Sequence, residues 1–381
     1  ENAEFTVVNG WERVEYIKPS ADFHPSLSFH FDETFDIVAG EIKNVRDNVG
    51  LCEVNGFNRF EITGPDAYDF LDRMFCGSVT RKPGRVGLGY LLNDFGMVKS
   101  EATIANIPAS DRGENRIWYG SAAASEFHDM DWLTQHINYN EKVQIQSLTN
   151  DQTILLLAGP KSRDVLSACS REDWSKEAFP WLSVRECFIG FSAATVMSVS
   201  FSGELAYEVH VPNASLYAAY LALSEAGKTY GMKLFGSRAV ESMRMEKGFL
   251  AWKADLLTEF DPFETGLDRF VNLNKDKFIG KSALEKRFKE GPRQKLVTLS
   301  IDCSHVPAHG GASLMVGSKV VGTITSGEWG HRLNINLAYA FVDPDKAEVG
   351  TKMMLDLLGE MIPVEVIDSG PYDSSYSRIL A

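Results

Sequence analysis

Two carboxylates on predicted strands are the side chains of this sequence best suited to acid–base or ligand-binding chemistry. The segment FSGELAYEVHVP, residues 201–212, alternates with the period of a strand and places Glu208 opposite an apolar face. That apolar face consists of Leu205, Tyr207, Val209 and Val211. From the pattern alone, Glu208 is either a solvent-facing residue or an acceptor for the N–H groups of a ligand. Glu204 follows Gly203 and is predicted to be a turn residue.

Glu101 is the second carboxylate, and it lies in GYLLNDFGMVKSEATIANI, residues 89–107. This segment predicts two strands joined by a turn at residues 93–96, with a third strand following in NRIWYGSA. Alternation places Met97, Lys99 and Thr103 on the same face as Glu101. Such a face is either solvated or presents a carboxylate that can move a proton.

Arg238 lies at the predicted start of a helix that runs from Ser237 to about Lys247. We expect Ser237 to be the N-cap residue, which places Arg238 in the first turn. Together with the free N–H groups of that turn, the guanidinium can bind a carboxylate. The alternative is an ion pair with Glu241, one turn further along the helix.

Metal, disulfide and nucleotide sites have little support in the sequence. His128, Asp129 and Asp131 spread over too wide an arc of a helix to share a metal ion, and a solvated helix start is predicted instead. The five cysteines form no CxxC pair, which argues against a zinc site and a disulfide framework. The glycine-rich segment 309–322 lacks phosphate-loop and dinucleotide-binding spacing, so its glycines are predicted to serve turns.

Composition and charge exclude several classes of partner. The 381 residues are 44% hydrophobic and 24% charged, which is typical of a soluble globular protein. A net charge of −14 argues against binding to nucleic acid or to an anionic membrane. The first residues lack the layout of a signal peptide, and we expect a cytoplasmic protein, or a mitochondrial matrix protein in a eukaryote.

The chain is predicted to contain three parts: an N-terminal extension (1–40), a two-lobed region (41–290) and a small barrel (293–381). Within the middle region, RFEITGPDAYDFLDRM and QTILLLAGPKSRDVLSAC each follow an apolar strand with Gly-Pro and a helix. The helix of the first unit is predicted to start at Pro65. The segment EGPRQ, residues 290–294, separates a helical pattern from five short strands that favour an antiparallel barrel.

Several long motifs resemble the tetrahydrofolate-dependent aminomethyltransferase family, which includes the glycine cleavage T-protein. They include VRDNVGLCEVNGFNRFEITGPDAYDFLDRM, FSGELAYEVHVP, GSRAVESMRMEKGFLAWKADL and TSGEWGHRLNINLAYAFV. Within the family, the chain is most similar to the folate-binding C-terminal half of dimethylglycine and sarcosine dehydrogenases. The resemblance implies a three-lobed α+β fold with a central folate cavity and a C-terminal antiparallel β-barrel.

The resemblance also implies roles for individual residues. Glu101 matches the family carboxylate that assists transfer beside folate N5 or N10, where aspartate is usual. Glu208 matches the glutamate that binds the pterin ring, and Phe201 replaces a family tyrosine. Trp118 stands near an aromatic residue that lines the cavity, and Arg238 matches an arginine of the folate site. Tetrahydrofolate is the implied cofactor, and no metal is expected.

The implied activity is transfer of a methyl or aminomethyl unit from a small methylated amine or onium compound to tetrahydrofolate. One alternative is a folate-binding subunit that works with a separate flavoprotein dehydrogenase. A glycine-cleavage enzyme with a lipoyl carrier is a further alternative. A non-catalytic folate binder of the iron–sulfur assembly type is the last, but its Lys-Gly-Cys motif is replaced here by EKGFLAWKADL.

Overall fold

The computed structural model of the chain describes residues 2–8, 10–26, 28–108 and 116–381. Its helices are α1 Thr34–Asp47, α2 Ala67–Met74, α3 Glu126–Gln135, α4 Ser162–Cys169, α5 Leu216–Lys228, α6 Ser237–Lys247 and α7 Lys281–Glu290. The strands of the N-terminal hairpin and the two open sheets are β1 Ala3–Val8, β2 Trp11–Ile17, β3 Gly50–Glu53, β4 Phe60–Thr63, β5 Val86–Leu92, β6 Val98–Ile107, β7 Arg116–Gly120, β8 Gln144–Ser147, β9 Gln152–Ala158, β10 Val184–Ile189, β11 Ser192–Met197, β12 Ala206–Pro212 and β13 Lys233–Leu234. The strands of the barrel are β14 Lys295–Ile301, β15 Ser313–Val316, β16 Lys319–Gly330, β17 Ile335–Val342, β18 Lys352–Leu357 and β19 Glu360–Ile367. Among the described residues, no helix has the length and apolar character needed to span a bilayer.

Two open sheets and a closed barrel make up the three lobes. The first sheet has the strand order β5-β6-β7-β4-β8, and the second has the order β10-β11-β12-β9-β3-β13. The barrel closes in the order β14-β17-β16-β15-β18-β19, and all of its neighbouring strands are antiparallel. This arrangement confirms the predicted α+β class and the C-terminal antiparallel barrel.

Each open sheet contains one of the two predicted strand, Gly-Pro and helix units. Strand β4 leads through Gly64 to α2, and β9 leads through Gly159 to α4. Both glycines have positive φ angles, +115° and +129°, and a Cβ atom on them would come within 2.1 and 2.5 Å of a neighbouring carbonyl oxygen. Only glycine fits such a position, so the two units share one turn geometry.

Each sheet packs one face on helices, and part of its other face is turned toward the neighbouring sheet. In the first sheet, Phe60 and Ile62 pack with Phe70 of α2. In the second, Leu155 and Val209 pack with helical side chains such as those of α4 and α5. The facing surfaces meet in an apolar cluster made of Val86, Ala105, Ile107, Trp118, Val184 and Met197. Polar residues beside this cluster are therefore held between the two lobes.

Helix α6 connects the second sheet, the N-terminal hairpin and the barrel. Met243 of this helix packs with Leu156 of β9 and Tyr16 of β2. Met245 packs instead with Leu337 and Tyr339 of the barrel. Because α6 is buried on more than one side, its position sets how the second sheet and the barrel lie relative to one another.

A buried charge network anchors α6 and contains Glu204. Arg46 of α1 donates to Glu246 of α6 over 2.6 Å and to Glu204 over 2.9 Å. Arg378 and the Tyr372 hydroxyl, both near the C-terminus, also donate to Glu204, over 2.8 and 2.6 Å. The side chains of Arg46, Glu246 and Glu204 are no more than 1% exposed. Glu204 is therefore a buried structural residue, and its interpretation as a plain turn residue is wrong.

Several local expectations differ from the structure. Helix α2 begins at Ala67 rather than at Pro65. Helix α6 spans the predicted residues, but Gly236 rather than Ser237 is its N-cap. Asp129 is buried and accepts hydrogen bonds from three hydroxyl groups, so it does not belong to a solvated helix start. The glycine-rich segment contributes β15 to the barrel in addition to its turns.

The predicted division into domains stays a prediction. Helix α1 crosses the boundary proposed at residue 40, and β2 packs on α6 through Tyr16. The N-terminal residues are therefore joined to the middle region by shared core. The boundary at residues 290–294 lies between the end of α7 and the start of β14.

We predict that Glu246→Gln lowers the free energy of unfolding by about 3–5 kcal/mol, because it leaves the buried Arg46 charge without one carboxylate. Urea denaturation followed by circular dichroism measures the change. Glu225→Gln is the control, since Glu225 pairs with Lys228 at an exposed surface where ion pairs contribute at most about 1 kcal/mol. Equal losses in both variants would contradict the anchoring role of Glu246.

Candidate functional site

Glu101 is positioned by the turn that joins β5 and β6. The side chain of Asn93 accepts the N–H groups of Phe95 and Met97 over 3.0 and 3.1 Å, and Gly96 has a φ of +77°. Beyond a register shift between Leu91 and Leu92, Glu101 lies directly across from Tyr90. Directly paired side chains of antiparallel strands share a face, so the phenol lies beside the carboxylate.

The environment of Glu101 suits proton transfer near neutral pH. Burial raises the pKa of Glu101 to about 7, while a hydrogen bond from Tyr90 opposes that rise. Tyr90 is 2% exposed and packs on Phe270 with ring centroids 5.2 Å apart. A carboxyl group with this pKa can both accept and release a proton at physiological pH.

Trp118 lies on the same sheet face as Glu101. Its partner across the ladder is Ala105 of β6. Ala105 is four residues after Glu101, so the two lie on the same face of that strand. A Cβ atom at Gly120 would fall 2.1 Å from the Trp118 ring, so the indole lies over that glycine. The indole N–H is buried and has no hydrogen-bond partner.

Glu208 lies on the second sheet, and His210 connects it to Trp118 of the first sheet. The His210 ring contacts the Trp118 ring edge to face, with centroids 4.8 Å apart. Nε2 of His210 lies 3.2 Å from the Glu208 carboxylate, and its Nδ1 is buried without a partner. The two residues share the face of β12 that is turned away from the Tyr207 core.

The Glu208 side chain is partly exposed although it lies between buried neighbours. Its ladder partners are Met197 and Leu156, which belong to two separate apolar clusters. The Glu208 side chain is 26% exposed although these neighbours are buried. The carboxylate therefore lies between the two clusters, on the face of β12 that carries the contact of His210 with Trp118.

These groups fit a flat polar heterocycle. The Glu208 carboxylate supplies only acceptors, and the Trp118 indole supplies a donor. Trp118 Nε1 and His210 Nδ1 are buried without a partner, which is uncommon in folded proteins, and both are available to bond a ligand. No group of metal-binding residues that could hold an ion occurs in the described part of the chain.

Phe201 lies in the loop before β12, beside other aromatic residues. Its ring stacks on Phe249 with centroids 6.1 Å apart, and Phe249 lies 6.5 Å from Tyr376. All three side chains are half-buried. They form a partly exposed aromatic surface, and stacking of Phe201 on a pterin stays a prediction.

Arg238 is engaged with the N-terminal segment. Its Nε donates to Glu15 over 2.7 Å, and its Nη1 bonds the hydroxyl of Thr34. The predicted alternative partner, Glu241, pairs with Arg244 instead. The structure therefore does not bring Arg238 together with Glu101 and Glu208, and its folate-binding role stays a prediction that these bonds argue against.

Tyr90 and His210 contribute to the site but carry no sequence motif that marks them. Tyr90 lies on the predicted strand before the turn at 93–96, but its pairing with Glu101 depends on a register shift between Leu91 and Leu92 that the sequence does not indicate. His210 shares the predicted strand face of Glu208. Its contact with Trp118 depends on how the two sheets pack, which a single sequence does not contain.

Comparison with known proteins gives the family. A family model described as the GCVT N-terminal domain matches residues 1–275, and one described as the glycine cleavage T-protein C-terminal barrel domain matches residues 294–373. The solved structure of the glycine cleavage system aminomethyltransferase T from Bartonella henselae superposes with a TM-score of 0.84 at 20% identity, covering 98% of this chain and 95% of that one. This match shows the three-lobed aminomethyltransferase fold.

Two curated relatives are longer than this chain. Human mitochondrial dimethylglycine dehydrogenase is 32% identical over 361 residues, which cover 94% of this chain and 41% of that protein. The sarcosine oxidase subunit alpha of Rhizobium meliloti (strain 1021) is 29% identical over 359 residues, which cover 90% of this chain and 36% of that protein. The chain thus spans about two fifths of the length of these relatives. On the matches to both of its parts, the chain belongs to the glycine cleavage T-protein (GCVT) family.

Proposed function

We propose that the protein transfers a one-carbon unit, methyl or aminomethyl, from a small methylated amine or onium compound to tetrahydrofolate. The observation that carries the proposal is the position of Glu101. Burial raises the pKa of its carboxyl group to about 7, and Glu101 shares a sheet face with Trp118, which contacts His210 on the strand that carries Glu208. These positions support a proton acceptor and a pterin-binding carboxylate on the facing surfaces of two lobes.

The residues present fit tetrahydrofolate. Glu208 would accept hydrogen bonds from the pterin N–H groups, and Trp118 would supply an aromatic wall. When bound, tetrahydrofolate supplies a secondary amine as nucleophile. Binding both reactants in one cleft supplies proximity, which accounts for much of the acceleration of such a transfer.

Glu101 would handle the proton of the transfer. As the new bond to carbon forms, the Glu101 carboxylate accepts the proton that the amine loses, and the donor leaves with the electron pair of the broken bond. Tyr90 holds the carboxylate in place through its hydrogen bond and keeps part of it ionised at neutral pH. The proton then passes from Glu101 to the departing donor or to water.

A second candidate function is that of a folate-binding part working with a flavin dehydrogenase. It is favoured by the similarity to dimethylglycine dehydrogenase and to a sarcosine oxidase subunit, each more than twice as long as the matched region. In this case the flavoprotein would produce the one-carbon unit and Glu101 would serve its transfer to tetrahydrofolate. A non-catalytic folate binder is the remaining alternative.

Product analysis separates these functions. The purified protein is incubated with tetrahydrofolate and a panel of methylated amines and sulfonium compounds, with and without a dimethylglycine-oxidising flavoprotein. Folate carrying a new one-carbon unit without the flavoprotein supports the first function. Formation that requires the flavoprotein supports the second, and folate binding without any product supports the binder.

We predict that Glu101→Gln lowers turnover by about 10²- to 10⁴-fold, the range for loss of a positioned general base, while tetrahydrofolate still binds. Steady-state kinetics and calorimetry measure the two effects. Glu101→Asp keeps the carboxylate and is expected to retain substantial activity. A Glu101→Gln variant that turns over at the parental rate would show that the carboxylate has no catalytic role.

We predict that Tyr90→Phe shifts the pH dependence of turnover. The hydrogen bond from Tyr90 lowers the pKa of Glu101, so its loss raises that pKa. A base is active when deprotonated, and the rise of activity with pH should therefore move upward by about 0.5–1 pH unit, the equivalent of one hydrogen bond. A profile displaced toward lower pH, or not at all, would be inconsistent with this role.

We predict that Glu208→Gln weakens tetrahydrofolate binding by about tenfold or more, since it removes a charged acceptor that contributes roughly 1.5–3 kcal/mol. Calorimetry gives the affinity, and thermal melting confirms that the fold is kept. Glu204 is unsuitable as a control because it anchors the buried charge network. Glu141→Gln is better matched, since Glu141 is a half-buried carboxylate (19% exposed) that pairs with Arg73. Equal losses of affinity in both variants would refute the assignment.

A further inference from the structure

Arg59 is a buried guanidinium group that is only partly hydrogen-bonded. Its side chain is 1% exposed, and Nη2 donates to the carbonyl oxygen of Thr149 over 2.6 Å. Nε and Nη1 are both buried without any partner. Leaving the donors of a buried charge unpaired is costly, and folded proteins rarely keep such groups without a reason.

The other fully buried arginines show what a structural arginine of this fold looks like. Arg46 is paired with the carboxylates of Glu204 and Glu246. Arg244 is paired with Glu241 and Asp255. Arg59 forms no ion pair with any of the described residues. Its charge is therefore not compensated by a carboxylate, unlike the charges of Arg46 and Arg244.

Arg59 lies on the sheet face of the proposed folate site. It directly precedes β4, and alternation places it on the face of Glu61, whose ladder partner is Trp118. Extending this register by one pair sets Arg59 opposite Gly120, the glycine that the Trp118 indole covers. The N–H of Asn58 donates to the carbonyl of Ser121 over 2.8 Å, which supports the extended pairing. The guanidinium and the indole are therefore neighbours.

Glu208 is close enough to act on Arg59 electrostatically. Burial lowers the pKa of Arg59 to about 10, while the negative charges of Glu126 and Glu208 oppose this effect. Glu126 is already hydrogen-bonded to Ser147. Glu208 instead has a partly exposed side chain, so its carboxylate and the unpartnered donors of Arg59 lie on the facing surfaces of the two sheets.

We propose that Arg59 donates hydrogen bonds to the C4 carbonyl of the bound pterin, beside the ring N–H groups that Glu208 accepts. The inference rests on the proposed function. A reduced pterin presents an N–H donor next to a carbonyl acceptor along its lactam edge. A carboxylate offers only acceptors and a guanidinium only donors, so the pair Glu208 and Arg59 is complementary to that edge. Arg59 is thus a residue that selects 4-oxo pterins.

A comparison of ligands tests the selection without any substitution. Dissociation constants are measured by calorimetry for tetrahydrofolate and for its 4-amino analogue, in which an amino group replaces the carbonyl oxygen. The wild-type protein is expected to prefer tetrahydrofolate by about 10- to 100-fold. In the analogue, the 4-amino group is a hydrogen-bond donor that would face the N–H donors of Arg59. Equal affinities would overturn the proposal, whether or not any Arg59 variant folds.

Substitution then assigns the preference to Arg59. Arg59→Met is expected to weaken tetrahydrofolate binding by about 10- to 100-fold and to remove the preference over the 4-amino analogue. Arg116→Met is the matched control, because Arg116 belongs to the same sheet but is paired with Glu61 and Glu186. It is expected to keep both affinity and preference.

Three results separate failure of this inference from failure of the proposed function. An Arg59→Met variant that keeps the wild-type preference would overturn the inference alone. An Arg59→Met variant with unchanged folate affinity but a raised KM for carboxylate-bearing one-carbon substrates would also overturn it, since Arg59 would then bind the substrate. Absence of tetrahydrofolate binding by the wild-type protein would refute the proposed function, and this inference with it.

Discussion

The ion pair between Arg46 and Glu246 is the interaction on which the arrangement of the lobes depends. Glu246 is buried on α6, and its second carboxylate oxygen accepts the backbone N–H groups of Arg332 and Leu333, which follow β16 of the barrel. One side chain thus connects α1, α6 and the barrel. Because a buried carboxylate is costly unless all its lone pairs are satisfied, this geometry leaves little freedom for the second lobe and the barrel to shift against each other.

A raised pKa alone does not identify a catalytic carboxylate in this protein. Burial raises the pKa of Glu41 and of Glu328 to about 7, as it does for Glu101. Glu41 accepts the backbone N–H groups of Ile17 and Gly236, which gives it a structural role at the start of α6. Glu328 accepts the N–H of its own neighbour, Trp329. Glu101 differs in its location, on the sheet face that carries Trp118. Its location and its raised pKa together support Glu101 as the proposed proton acceptor.

The sequence predicts the local elements well because they depend on neighbouring residues. Alternation and turn residues are sufficient for β5, β6 and the strand of Glu208, and the Gly-Pro units place β4, α2, β9 and α4. The barrel is predicted from its short strands, although β15 is hidden among glycines that also suit turns.

The partners of charged residues are far less predictable. Glu204 meets Arg46 and Arg378, which are 158 and 174 positions away, and Arg238 meets Glu15 across 223 positions. Local sequence patterns do not indicate such distant pairs. For Arg238 they predict only the binding of a carboxylate at the start of the helix. The same applies to Arg59, whose unpaired nitrogens become evident only when the sheets are packed together.

The hydrogen bonds made by Tyr372 and Arg378 have a consequence for biosynthesis. Arg378 closes the charge network around Glu204, and its guanidinium also bonds the carbonyl oxygen of Arg46. A ribosome makes the chain from the N-terminus, so α1 and the Glu204 loop are complete well before residue 378 exists. Until then, the carboxylate of Glu204 lacks two of its donors. The first two lobes can form their sheets during translation, but the buried charges around Glu204 stay incompletely paired until the C-terminal segment emerges and docks.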